Sequence, residues 1–445
     1  MSSITMILMW LAVSIVIILI TILKFKLNPT IALVIGSVVM GLGTGLGLVP
    51  TADAIGKGFG NLMVGIGLPI GFGVILGQLL SDCGGARVIA KTLIQGASPK
   101  YALYAIGLTG FILSIPVFFD ITFIILIPLA VEMSRQIKKP LPYAVGAVVI
   151  GGMTAHTLVP PTPNPLAAAS ILNFDLGLMI IVGGLIGLVC GLLAMKLYFT
   201  LLDRGFWNSE TDETGNVQIT EDTALPANAP SFFMALIPIV LPVVLIILST
   251  VSGVFGVKSE IINFLSNKNI AMLLGALAAY GVASKALDKK SRDHSANTAM
   301  KDSGCVLLVT GAGGSFGAII SATGFADALK GAIGTMNVSP LLIVLIAYGV
   351  AVIFRVSLGS GTVASITTMT IMANIIGGMS ITPVWVAIAC LAGGMSIGHV
   401  NDSAFWVVTN MSGYSVKGGF KSYTIGAFMV SIMALICAMI GSIIF

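Results

Sequence analysis

The chain has 445 residues, 57% of them hydrophobic and 9% charged, with a formal net charge of +5. That balance, with apolar runs such as Ile4–Leu23 and Ser422–Phe445, excludes a water-soluble globular domain and marks an all-α polytopic membrane protein. No cluster of basic and aromatic residues suggests nucleic-acid binding. The five cysteines have neither metal-ligand nor C-x-x-C spacing, so they read as packing residues.

In chain order, the first half predicts spans at about Ile4–Leu23, Thr30–Val49 and Asn61–Ser81, then an amphipathic stretch at Ala86–Ile94. The first run lacks a basic leader and a cleavage site and is followed by Lys24 and Lys26. It therefore reads as a retained span with the N-terminus outside. Tyr101–Glu132 is 32 residues long, about 48 Å as one helix against a hydrocarbon core of roughly 30 Å. Ser114-Ile115-Pro116 breaks it in the middle, which predicts a re-entrant helical hairpin, with two short spans as the alternative. Leu141–Thr157 then runs into Pro160, Pro161, Pro163 and Pro165, which no single helix can absorb, and a last span covers Leu176–Leu201.

The second half repeats this plan at an offset of 239 to 242 residues. GGMTAHTLVPPTPNP from Gly151 recurs as GGMSIGHVNDSAFW from Gly393, Ser98-Pro99 as Ser339-Pro340, Gly65 as Gly304 and Ile31 as Ile270. The organisation is a first membrane repeat over 1–201, a polar and flexible cytoplasmic linker over 202–230, and a second repeat over 231–445. If Tyr101–Glu132 and its counterpart Leu341–Ile376 are hairpins, each half has five crossings. The halves are then inverted, giving about ten transmembrane helices, two hairpins and two unwound helices. On that plan seventeen lysines and arginines face the cytoplasm and four (Lys57, Lys258, Lys268 and Lys330) face outside, with Arg355 inside a hairpin. The basic stretch Lys285–Lys301 reads as a cytoplasmic loop touching anionic lipid. Paired, broken apolar segments of this kind point to a secondary transporter with its substrate site between the repeats.

The second hairpin tip runs from Arg355 to Ser365. Gly359 and Gly361 leave backbone N–H groups free, Ser357, Ser360 and Thr362 supply hydroxyls, and a helix restarts near Thr362, all of which suits a carboxylate. Arg355 adds a planar, permanent cation. The alternative is close helix packing for the glycines and an interfacial position for Arg355. Asp120, on the first tip, is the leading candidate for a coupling proton, a salt bridge or a helix cap being the other reading. At the two unwound turns, Thr162, Asn164, Asn401 and Ser403 are candidates for substrate hydroxyls, or for satisfying nearby carbonyls. Asp402 is the second candidate for the coupling ion, with His156 and His399 beside it; none of them has zinc-site or triad spacing, so no enzyme is expected.

Several of these stretches together resemble the gluconate:proton symporter family, which includes a D-serine permease. They are Gly71 to Gly77, Gly84-Gly85-Ala86, Ile115 to Asp120 with Leu126-Ile127-Pro128, His156 to Pro165 and His399 to Ser403. Sugar-acid members carry Glu at the Asp120 position and read H-G-x-x-P-P-H-P-G-P where this chain has Thr157, Thr162 and Asn164. The resemblance implies a proton-coupled importer of small hydroxylated or amino carboxylates in a bacterial-type inner membrane, with lipid around it. The wider ion transporter superfamily brings a homodimer into consideration. No cofactor or metal is expected. Sodium is the rival coupling ion, because unwound carbonyls with Asn401, Asp402 and Ser403 could hold a cation, and a channel is the rival of a different class.

Overall fold

The computed structural model describes residues 4–215, 217, 225–226, 228–256, 259–325, 339–377, 379 and 381–445. Lys258 and Lys330, two of the four cations expected outside, and part of the expected linker 202–230 lie outside them.

The first repeat contains α1 (Ile4–Leu23), α2 (Pro29–Gly43), α3 (Leu48–Asp82), α4 (Gly85–Gln95), α5 (Ala102–Leu113), α6 (Phe119–Gln136), α7 (Leu141–Leu158), α8 (Pro163–Ile171) and α9 (Leu176–Asp203). A short α10 (Ser209–Asp212) follows. The second repeat contains α11 (Phe232–Val254), α12 (Glu260–Ser266), α13 (Lys268–Ala283), α14 (Lys289–Ala322), α15 (Pro340–Leu358), α16 (Gly361–Ile376), α17 (Pro383–Met395) and α18 (Ser403–Met411). It closes with α19 (Val416–Gly419), a π-turn at Phe420–Thr424 and α20 (Ile425–Ile444).

Eight of the described helices are long and apolar enough to cross a membrane, or nine if the pair α12–α13, bent by 63°, is one span. Two further apolar helices, α2 and α17, are shorter, at 15 and 13 residues. Packing follows the repeat. Helices α1–α2 pair as α11–α13 do, α5–α7 as α15–α17, α7–α9 as α17–α20, and α2–α14 as α13–α3. Across the repeats α8 touches α16 and α6 touches α18, so each broken helix meets the opposite hairpin. The stretch Leu141–Ile171 is 94% buried over its most apolar window, against 22% for Ile4–Ile22, which places α7–α8 at the centre and α1 at the rim.

The repeated Gly-Gly pair explains how the hairpins are held. A side chain at Gly151 would collide with the Gly107 carbonyl on α5, and one at Gly152 would come within 2.9 Å of the Phe119 ring on α6. In the second repeat, Gly393 meets Ala351 of α15 at 2.6 Å and Gly394 meets Ser365 of α16. The first glycine thus admits one arm and the second admits the other, in both halves.

Two boundaries differ from the expectation. The chain breaks at Gly45 and Gly47, both with positive φ, so α2 ends at Gly43 and α3 starts at Leu48, not Asn61. Asp53 and Lys57, N-terminal to the span expected from Asn61, sit on the exposed face of α3. The basic stretch read as a loop is helical from Lys289, because Asp288 caps α14 by accepting from the Ser291 N–H at 2.8 Å.

Candidate functional site

A cavity of about 440 Å³ lies where both hairpin tips and both helix breaks converge. Of the sequence candidates, Asp120, His156, Asn164, Arg355, Gly359, Ser360, Gly361, Thr362, Asn401, Asp402 and Ser403 line it. Thr162, Ser357 and His399 do not. Thr162 donates to the Val159 carbonyl at 2.8 Å, inside the first break. His399 Nε2 lies 3.0 Å from the Val356 carbonyl, and the Asn401 amide donates to the same oxygen at 2.9 Å. Both residues thus tie the second break to the end of α15, the reading in which they satisfy nearby carbonyls.

Arg355 is 1% exposed on the cavity wall, with both terminal nitrogens hydrogen-bonded and Nε without a partner. Its Nη1 donates to the Gly359 carbonyl at 2.7 Å, while Nη2 donates to Asp402 and to the Tyr423 hydroxyl at 3.3 Å. Both terminal nitrogens thus already have partners within the protein, as the desolvation of an arginine at this depth demands. Asp402, 8% exposed, caps α18 by accepting from the Ala404 N–H at 3.0 Å, and it also accepts from the Tyr423 hydroxyl at 2.6 Å. Gly359 has φ 74°, and a side chain there would collide with the Asn401 carbonyl, so the tip rests directly on the second break.

Asp120 stands differently. It is half-buried in the first turn of α6 and forms no ion pair or hydrogen bond among the described residues. Arg355 and Asp402 are paired with each other, which leaves Asp120 as the carboxylate on this wall without an ion-pair partner. Four helices begin at its wall: α6, α8, α16 and α18. Asp120 occupies the first turn of α6 and Asp402 caps α18, whereas α8 and α16 have no acidic residue in the first turn. Their N-termini leave positive partial charge beside Asn164 and beside Ser360 to Thr362. Asn164 is 4% exposed and its Oδ1 has no hydrogen-bond partner; the Nδ1 of His156 is likewise unpartnered.

The remaining wall was not foreseen. Phe118, Phe119, Met153, Met395 and Tyr423 supply apolar surface and one hydroxyl. Tyr423 lies in the π-turn, and its signal in the sequence is the polar run Lys421-Ser422-Tyr423-Thr424 at the head of an otherwise apolar helix. Among the described residues, no three His, Cys, Asp or Glu side chains are grouped as a metal site.

Residues 6–444 match the model of the GntP family permease. A gluconate permease of Pseudomonas aeruginosa is 30% identical over 97% of this chain and 96% of its own length. The D-serine transporter DsdX of Escherichia coli is 30% identical over 96% of both chains. The inner membrane permease YgbN of Escherichia coli is also 30% identical, again over 96% of both chains. Two solved transporters share the fold: MtrF of Neisseria gonorrhoeae, TM-score 0.64 at 13% identity over 90% of this chain and 85% of that one, and YdaH of Alcanivorax borkumensis, TM-score 0.57 at 14% identity over 89% of each. These relatives are permeases and transporters, not enzymes. With a whole-chain family match behind it, this multi-span membrane protein belongs to the GntP family of permeases.

Proposed function

We propose that this chain is a secondary active transporter that imports a small hydroxylated or amino carboxylate across a bacterial inner membrane by proton symport, with alternating access between inverted repeats. One observation carries the reading: a single cavity joins two helix N-termini without an acidic residue in the first turn, at α8 and α16, to one unpaired carboxylate, Asp120. The substrate carboxylate sits at the α16 N-terminus, among Ser360, Gly361 and Thr362, and its hydroxyl or amino groups reach Asn164, Asn401 and Ser403. An ionised Asp120 repels that anion, and a protonated one does not, so substrate and proton favour each other's binding. That mutual preference is the coupling free energy of a symporter. Arg355 serves the tip, holding Gly359 and Asp402 in place, and is not a direct ligand.

The relatives that carry gluconate and D-serine define the substrates to try first. Uptake of radiolabelled gluconate, D-serine and short hydroxy acids is measured in proteoliposomes with an imposed pH gradient. Concentrative uptake that collapses with the gradient is expected. A strict sodium requirement would replace the proton, and equilibration without concentration would make the protein a channel.

A further inference from the structure

The connection between the repeats, read from sequence as a loose linker, is docked where it is described. Trp207 donates from its indole to Glu213 at 2.7 Å and packs edge-on against the Tyr414 ring, with centroids 4.7 Å apart. The Thr214 N–H donates to the Gly413 carbonyl at 2.8 Å, and the Ser415 N–H to the Asp212 carbonyl at 2.9 Å. At the centre of this contact Asp212 is 0% exposed. Its carboxylate accepts from Lys421 at 2.5 Å and from the Asn208 N–H at 2.8 Å, with Lys417 at 3.6 Å. Lys421 also donates to the Phe206 carbonyl at 2.7 Å. Gly418 leaves room for the Asp212 carbonyl, which any side chain there would strike.

The partner of Asp212, Lys421, shares the five-residue π-turn with Tyr423 and Thr424. One side of that turn is bound to the connection; the other binds the cavity, through Tyr423 to Asp402 and through Thr424 to the Gly398 carbonyl. Widened turns of this kind recur where a side chain must be aimed.

We propose that Asp212 is a positioning residue for the transport cavity: by anchoring Lys421 it fixes the π-turn so that Tyr423 holds Asp402 against Arg355. This rests on the reading of that cavity as the substrate site. The segment 206–215 thereby belongs to the transport machinery, and the two repeats are coupled at the cavity wall as well as by covalent connection.

The test is a double-mutant cycle on uptake of gluconate and D-serine in proteoliposomes. Asp212→Asn and Tyr423→Phe should each raise KM about tenfold, the loss of roughly one aimed hydrogen bond, with a smaller effect on maximal rate. The double variant should be no worse than Tyr423→Phe alone, and Lys421→Arg should stay near wild type. Additive effects, or an Asp212→Asn KM equal to wild type, would overturn the proposal. Should Asp212→Asn fail to fold, Lys421→Met is judged by the same cycle. A second readout needs no substrate: a single cysteine at Thr424, 6% exposed in the wild type, should be alkylated at least several times faster with Asp212→Asn or Lys421→Met. An unchanged rate would overturn the proposal. If the wild type moves neither probe, the functional reading is at fault, and the alkylation rate still decides the role of Asp212.

Discussion

Arg355 and Asp402 form a buried ion pair that joins the last turn of α15 to the N-cap of α18, so the second hairpin is tied to the second helix break by charge. Tyr423 closes the arrangement by bonding to both. Two charges at this depth cost several kcal/mol each to desolvate, and their attraction offsets this only while both are present.

Removing one partner should therefore hurt more than removing both. Arg355→Gln leaves Asp402 buried and unpaired and should destabilise the protein by about 3–5 kcal/mol, whereas Arg355→Gln with Asp402→Asn should recover a large part of that loss. Thermal unfolding in detergent measures both. Equal losses in the single and double variants would show that the pair is not the unit that matters.

The tip glycine gives a second expectation. Gly359→Ala forces a β-carbon into a left-handed backbone and onto the Asn401 carbonyl, and should cost about 1–3 kcal/mol and most of the uptake. Gly349→Ala, on the neighbouring arm with open space around it, should be nearly neutral. Comparable uptake by the two variants would mean that the tip does not rest on the break.

Acid should release the docked connection. Burial alone would push the Asp212 carboxyl up, but hydrogen bonds from Lys421, the Asn208 N–H and Thr211, with the Lys421 charge, outweigh it and hold the group below the usual carboxylate range. A group lowered in the folded state contributes its full stability above its unfolded pKa and loses it as pH falls through the folded value. The dock should thus be intact at neutral pH and weaken from about pH 4 downward. Trp207 fluorescence, in a variant lacking the other tryptophans, should change over that range, and Asp212→Asn should show the acid signal already at neutral pH.

Sidedness is open to labelling. On the inverted plan Lys57 would face outside and Lys100 the cytoplasm, and both are exposed. Single cysteines at these positions should react with an impermeant reagent from opposite sides of oriented vesicles. Labelling of both from one side would refute the inverted plan.

The hairpins and breaks were legible because each violates a simple limit. The run from Tyr101 is too long for one crossing, and four prolines follow His156 within nine residues of sequence. The boundary at α2–α3 was not, since Asp53 and Lys57 look like loop residues until an exposed helix face accounts for them. Most of the polar residues that line the cavity are legible because polar groups are scarce in an apolar chain. Their partners are not: Arg355 faces Asp402 across 47 residues, and the polar run around Tyr423 does not say which way the π-turn aims it. Asp212, in a polar stretch, carried no sign of burial.

If one carboxylate couples the proton to the substrate, Asp120→Asn separates the two. Asparagine keeps the shape of the side chain and cannot exchange a proton. In proteoliposomes, with proton and substrate flux measured together, the variant should lose uphill uptake driven by a pH gradient yet retain counterflow of substrate down its own gradient. Proton flux that stays tied to substrate flux in Asp120→Asn would contradict the account and pass the role to Asp402 or to another ion.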